Sequence, residues 1–120
     1  MDMSLWAKNA TFADPFSSFG GEGSLERFKN NADNLGKYIL NPRLRITSYS
    51  IEKEDDYNAI IKVGWVYSSN LKLPWTPILA AAGETSHYLD DNNLIVRYQE
   101  RWKSNPWEVV FRLFKPARLQ

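Results

Sequence analysis

Cysteine is absent from the 120 residues. That excludes disulfides, thiolate metal sites and cysteine nucleophiles, and it leaves the redox compartment open. A charge excess is lacking as well. Fifteen Lys and Arg against 14 Asp and Glu leave a net charge of +1, so there is no general electrostatic case for a nucleic-acid partner. Histidine occurs once, at His87. One histidine among scattered carboxylates gives no ligand cluster at a recognised spacing, and neither a metal nor a cofactor is expected. The longest apolar runs fall far short of the roughly 20 residues that a membrane span needs, so no integral membrane segment is expected. The opening MDMSLWAKNA has no basic region followed by an apolar stretch and does not read as a secretory signal. Neither GxGxxG, GKS or GKT, nor a GxSxG elbow occurs.

Aromatic side chains are plentiful: six Phe, six Tyr and five Trp. Rings of this size fill cores and line ligand pockets, and composition does not separate the two uses. The length suits one domain with a real core.

Residues 2–9 fit the tail of a helix, and TFADPF fits a short strand ended by Pro15. SSFGGEG is a glycine-rich loop. The spacing then predicts a helix over 24–38. Ser24 is a good N-cap, Glu26 lies in the first turn, and Leu25, Phe28, Ala32, Leu35 and Ile39 form one apolar stripe. Asn41-Pro42 stops it. After Pro42 the period changes to two. Leu44 and Ile46 share one face and Tyr49 and Ile51 the other, a slip that a bulge near Thr47–Ser48 explains. Strands follow at 59–69, 78–90 and 94–103, with DDNN as the last turn. Ile61, Val63, Trp65 and Tyr67 fall on one side of their strand. Val96, Tyr98, Glu100 and Trp102 alternate with Arg97, Gln99 and Arg101, which with Lys62 suit a solvent-facing side. In NPWEVVFRLFKPARLQ, Asn105, Pro106 and Glu108 fit the start of a short helix. Trp107, Val109, Phe111 and Leu113 fit a strand almost as well, and the helical stripe of Trp107, Val110, Phe111 and Phe114 is expected to cover the domain's own core, ahead of a dimer contact or a membrane surface.

FADPFSSFGG with LERF, then LPWTP, GETSHYLDDNNLI and ERW, occur in this order. The set resembles the SnoaL-like branch of the nuclear-transport-factor-2-like (NTF2-like) superfamily, most of all a domain of unknown function found in photosynthetic organisms. The resemblance covers about residues 5–103. It implies a single domain of the α+β class over 1–120: a cone-shaped, curved antiparallel sheet of about five strands wrapped around helices, with a pocket between them. Such domains begin with a long helix. Either that helix is missing here, or the extension at 105–120 covers the cone. A soluble protein of a cytoplasmic or plastid-type compartment fits this reading. Members range from isomerases, cyclases and dehydratases to scaffolds, so fold does not settle function.

The resemblance turns Gly83, Thr85, His87 and Leu89 inward, together with Val96, Tyr98, Glu100 and Trp102. If Asp90 pairs with Asn93, His87 lies opposite Val96 and Glu100 opposite Gly83. The two polar residues are then roughly 13 Å apart at about 3.3 Å per residue, too far for a direct hydrogen bond. Glu100 is the leading catalytic candidate, because a carboxylate on an apolar face is costly unless paired or protonated. Its alternatives are an arginine partner, or acceptance from a tryptophan N–H or tyrosine hydroxyl. Gly83 opposite leaves it room. His87 suits a base or proton shuttle, and equally a hydrogen-bonded core residue. Asp14 shares a face with Phe12 and could approach Glu100, or serve only as the turn residue before Pro15. Trp65, Tyr67, Thr85, Tyr98 and Trp102 are the expected lining for a small hydrophobic ligand, or simply fill the cone. The competing readings are a proton-transfer enzyme with Glu100 as base, and a dimerisation or adaptor module, a homodimer through the outer sheet face.

Overall fold

The segment expected to be a helix tail is a strand. In the computed structural model, which describes residues 2–114, Asp2 accepts the Ser4 N–H and caps one 3-10 turn at Met3–Leu5. Strand β1, Trp6–Ala13, follows directly. Its alternation buries Ala10 and Phe12, and it carries Trp6 on the same side. After the short β2 (Ser18–Phe19) comes α1, Ser24–Gly36. The N-cap of α1 is Gly23, at a positive φ of 75°, one residue before the predicted cap. Ser24 is instead the first helical residue, and its hydroxyl is turned under the helix to donate to the Ala10 carbonyl at 2.5 Å. That bond ties α1 to β1 below Leu25, which is buried. Phe28 stacks on Phe12 with ring centroids 4.2 Å apart, Phe12 stacks on Phe19 at 5.4 Å, and Trp6 and Tyr98 close round them. Further along the predicted stripe, Ala32 and Leu35 are exposed.

Four antiparallel strands then run back and forth: β3 (Ile39–Glu54), β4 (Tyr57–Leu71), β5 (Ile78–Leu89) and β6 (Ile95–Trp102). Asn41-Pro42 does not end the helix. It sits inside β3 at a register shift between Leu40 and Arg43, with Asn41 at φ 50°. The bulge predicted near Thr47–Ser48 is present, between Ile46 and Ser48. Gly64 lies opposite, and a Cβ there would meet the hydroxyls of both Thr47 and Ser48. Inserting one residue restores the phase, so Leu44, Ile46, Tyr49 and Ile51 oppose Tyr67, Trp65, Val63 and Ile61 and all share one face.

The architecture is α+β, but the cone is not formed. Strand order is β2-β1-β6-β5-β4-β3 in one open six-stranded sheet, and β1 pairs with β6 in parallel, which makes the sheet mixed. The two edge strands, β2 and β3, do not meet. The overall extents of 49 × 29 × 22 Å are those of an elongated body. The reason lies in the lengths. A helix of 13 residues is roughly 20 Å long at about 1.5 Å per residue, whereas a 16-residue strand runs roughly 50 Å at about 3.3 Å. One helix of that size covers one end of the sheet, and nothing is left for the other end to wrap around.

The outer face is polar where it was predicted to be. Lys62 pairs with Glu52 at 3.0 Å, and the Arg97 guanidinium lies 5.0 Å from the centre of the Tyr88 ring. Helix α2, Pro106–Arg112, starts as expected, with the Asn105 side chain accepting the Trp107 and Glu108 N–H groups. The stripe expected to cover the core does the opposite. Val109 is the buried residue, while Trp107, Phe111 and Phe114 are exposed. The loop before β5 anchors this helix from the other side, through the Trp75 indole N–H, which donates to the Leu113 carbonyl. The rest of the predicted C-terminal extension, 115–120, lies outside the described residues.

Candidate functional site

Between the covered and bare parts of the sheet lies a cavity of about 510 Å³. Its floor is the inner face of β4 and β5: Val63, Trp65, Tyr67, Leu79, Ala81 and Thr85. His87, Tyr98, Glu100 and Trp102 make the wall towards β6, and Leu44 and Ile46 of β3 make the opposite wall. Leu35 and Ile39, at and just after the end of α1, reach over the top. The volume suits a small organic molecule. Of the residues expected to face inward, Gly83, Leu89 and Val96 do not line the cavity, whereas Trp65, Tyr67, Thr85, His87, Tyr98, Glu100 and Trp102 do. The alternation in β5 and β6 positions them: Tyr98, Glu100 and Trp102 face the cavity, while Arg97, Gln99 and Arg101 take the other side of the strand.

The expected hairpin register is not the one that forms. Asp90 and Asn93 are not a ladder pair, although the Asp90 carbonyl accepts the Asn93 N–H at 2.9 Å. The Asp90 N–H donates to the Leu94 carbonyl, its side-chain oxygen accepts the Asn92 and Leu94 N–H groups, and Asn93 turns the chain at φ 60°. With this longer turn and an irregularity at Tyr88/Leu89, Gly83 faces Trp102, Thr85 faces Glu100 and His87 faces Tyr98. His87 and Glu100 are thus diagonal neighbours, a separation of about 7–8 Å along a ladder. No hydrogen bond joins them, and Tyr98 contacts both. Gly83 makes room for a different group than expected: the Trp65 ring lies across it, where a Cβ would collide.

Glu100 has found the hydrogen-bond donors that its burial requires. The Tyr98 hydroxyl donates to one carboxylate oxygen at 2.9 Å, and the Trp102 indole N–H donates to the other, also at 2.9 Å. Trp65 donates its indole N–H to the Thr85 hydroxyl at 2.9 Å, and Thr85 in turn bonds Tyr98. Four of the five predicted lining residues and the predicted base therefore form one chain of hydrogen bonds across three strands. Burial pushes the Tyr98 hydroxyl well above the usual tyrosine range, and the neighbouring Glu100 charge adds to this.

His87 lines the same cavity but packs edge-on against the rings of Tyr98, at 5.4 Å, and Trp6, at 6.0 Å. Burial lowers its pKa, partly offset by a hydrogen bond to the Ile61 backbone. Asp14 stands apart and exposed. One of its oxygens accepts the N–H groups of Phe16 and Ser17, closing the turn around Pro15. That turn delivers Phe16 edge-on to Trp102 at 5.4 Å and to Trp107 at 5.7 Å, which links the cavity wall to α2. Among the described residues no three His, Cys, Asp or Glu side chains come together as a metal site, and no helix is long and apolar enough to cross a membrane. The lining residues that sequence reasoning missed are Val63, Leu79, Ala81, Leu44, Ile46, Leu35 and Ile39. Most of them continue alternations that had been noticed, and carrying the bulge through to one shared face would have brought in Leu44 and Ile46.

An open mixed sheet with a helix on one face and a cavity between them is an NTF2-like arrangement, and solved structures agree. An NTF2-like protein of unknown function from Burkholderia pseudomallei superposes with a TM-score of 0.68 at 8% identity, over 94% of this chain and 82% of that one. One from Exiguobacterium gives 0.67 at 12%, over 86% and 80%. SalBIII, an epoxide hydrolase/cyclase-like enzyme of pyran ring formation in the polyether salinomycin, gives 0.62 at 13%, over 83% and 74%. The chain belongs to the family of uncharacterized conserved proteins called DUF2358, whose model matches residues 1–98. Among curated proteins none matches by sequence.

Proposed function

We propose that this domain binds a small hydrophobic molecule in the cavity, held by Trp65, Tyr67, Thr85, Tyr98 and Trp102. The observation behind this reading is the lining itself: apolar and aromatic walls converging on a single carboxylate whose orientation is fixed by two donors. Preorganised polar groups in an otherwise apolar hollow are what a specific ligand site requires. The ordered motifs that resemble the SnoaL-like branch favour the same reading, which places the domain in a soluble, cytoplasmic or plastid-type setting. The test is a neutral apolar dye, Nile red, titrated into the full chain. Ala81 is buried at the cavity floor, so Ala81→Phe fills the hollow and is expected to abolish dye binding. Phe111→Ser, on exposed α2, is expected to leave it intact. The reverse pattern removes the cavity as the site.

A second reading has one observation of its own. Glu100 lines the cavity beside the Tyr98 hydroxyl, so a bound substrate would meet a carboxylate and a hydroxyl together. A proton-transfer enzyme of the isomerase, cyclase or dehydratase type would use Glu100 as base, with His87 or a tyrosine hydroxyl polarising the substrate. SalBIII supports this by fold alone. Conversion of an epoxide or enone by the unaltered protein but not by Glu100→Gln would carry it. Asp14, engaged in its turn, has the weakest claim to a catalytic part. Dimerisation or adaptor use of the outer sheet face has the least support, since that face presents Lys62, Glu52 and Arg97. A monomer mass in gel filtration removes it.

A further inference from the structure

The cavity also carries information about the charge of its ligand, an inference that rests on the binding reading above. A carboxylate is acceptor-only, with about four lone-pair positions on its two oxygens. In Glu100 two of them are taken, both by neutral donors. The ion pairs among the described residues are Lys29–Asp33, Lys62–Glu52 and Arg112–Glu108, and none reaches Glu100. The arginines of the same strand, Arg97 and Arg101, alternate with the lining residues and fall on the other side of the sheet. Burial disfavours the charged form of His87, and the negative charges of Glu100 and Asp14 both act on the Tyr98 hydroxyl. Among the described residues the only formal charge lining the cavity is therefore negative. Around it lie the aromatic side chains of Trp65, Tyr67, Tyr98 and Trp102, whose π-faces attract cations.

We propose that the cavity selects an organic ammonium: an apolar body bearing a protonated amine, whose N–H groups take the free lone pairs of Glu100. An ammonium answers both features at once. It forms charge-assisted hydrogen bonds to the carboxylate, and its neighbouring carbons rest on the rings. A neutral alcohol keeps the apolar contacts and loses the charge. An anion of the same shape meets Glu100 with like sign in an apolar surround.

The experiment is calorimetric titration of the full chain at neutral pH with naphthylmethylammonium, naphthylmethanol and naphthoate, which share one ring system. The ammonium is expected to bind roughly tenfold or more tighter than the alcohol, the scale of a charged hydrogen bond, and the naphthoate is expected not to bind. Glu100→Gln is expected to remove the preference, bringing the ammonium's affinity down to that of the alcohol on the same variant. Equal affinity of ammonium and alcohol on the unaltered protein overturns charge selection and leaves the pocket reading standing. So does naphthoate as the tightest ligand. Failure of all three to bind overturns both readings. Should Glu100→Gln not fold, the three-ligand comparison on the unaltered chain decides the matter without it.

Discussion

The two ends of the sheet are built from the same alternation and end up in opposite states. At the β1 end, Phe12 is 2% exposed beneath α1 and stacked between Phe28 and Phe19. At the β3 end, Leu44 is 63% exposed and Tyr49 74%, although both sit on the same face of the same sheet as the covered residues. The difference is cover, not pattern. Alternation decides which face a side chain takes, and a second layer decides whether that face is dry. Here the second layer is one 13-residue helix at one end, and the cavity lies where it stops.

The largest expected effect breaks the packed end. Phe12→Ala should cost about 3–5 kcal/mol of unfolding free energy in denaturant titration. The matching change at the bare end, Ile46→Ala, should cost less than about 0.5 kcal/mol, as exposed positions do. Similar losses at both positions would mean that β3 is covered. Next comes the bond that holds α1 down. Ser24→Ala leaves the Ala10 carbonyl buried without its donor and should cost about 1–3 kcal/mol in the same assay.

Smaller effects follow from the two titrating groups beside the cavity. Tyr98 keeps its proton in the folded protein above the pH where the unfolded chain loses it, so the folded state binds more protons there. Its contribution is complete below the unfolded value of 10.0 and declines as pH rises beyond it. Thermal unfolding should show this alkaline decline, and Tyr98→Phe should flatten it. His87 has the opposite sign. Its lowered folded pKa means that the unfolded chain binds the extra proton, so stability is complete above the unfolded value of 6.5 and declines as pH falls below it. His87→Gln should flatten that acid decline, the smallest change of the set.

What could be read from the sequence follows the same division. Period-two patterns separated the two faces of β4 and β6, the family resemblance turned Thr85 and His87 of β5 inward, and the phase slip located the bulge near Thr47–Ser48. Face assignment is a local property, so Tyr98, Glu100 and Trp102 were found in advance. Register was not, because it depended on how Asp90 and Asn93 closed a turn, and two residues of difference moved Glu100 from Gly83 to Thr85. Cover was not legible either. Ala32 and Leu35 continue the stripe of α1, and Trp107 and Phe111 make one on α2, yet all four are exposed, Leu35 even though it lines the cavity. Periodicity reports amphipathic character and does not say whether another layer lies opposite. Trp6 was lost to the wrong period at the N-terminus, where a strand reads much like a helix tail over eight residues.

The central claim is that the hollow between the two ends is where a ligand sits, with Glu100 at its polar point. Two of the five tryptophans line that hollow, and Trp107 stands exposed on α2. The most direct measurement is the set of indole N–H resonances of the labelled protein during titration with naphthylmethylammonium. The account predicts saturable shifts of Trp65 and Trp102, whose N–H groups bond Thr85 and Glu100, with Trp107 unmoved. Shifts confined to Trp107 and Trp75, with Trp65 and Trp102 unchanged, would contradict it.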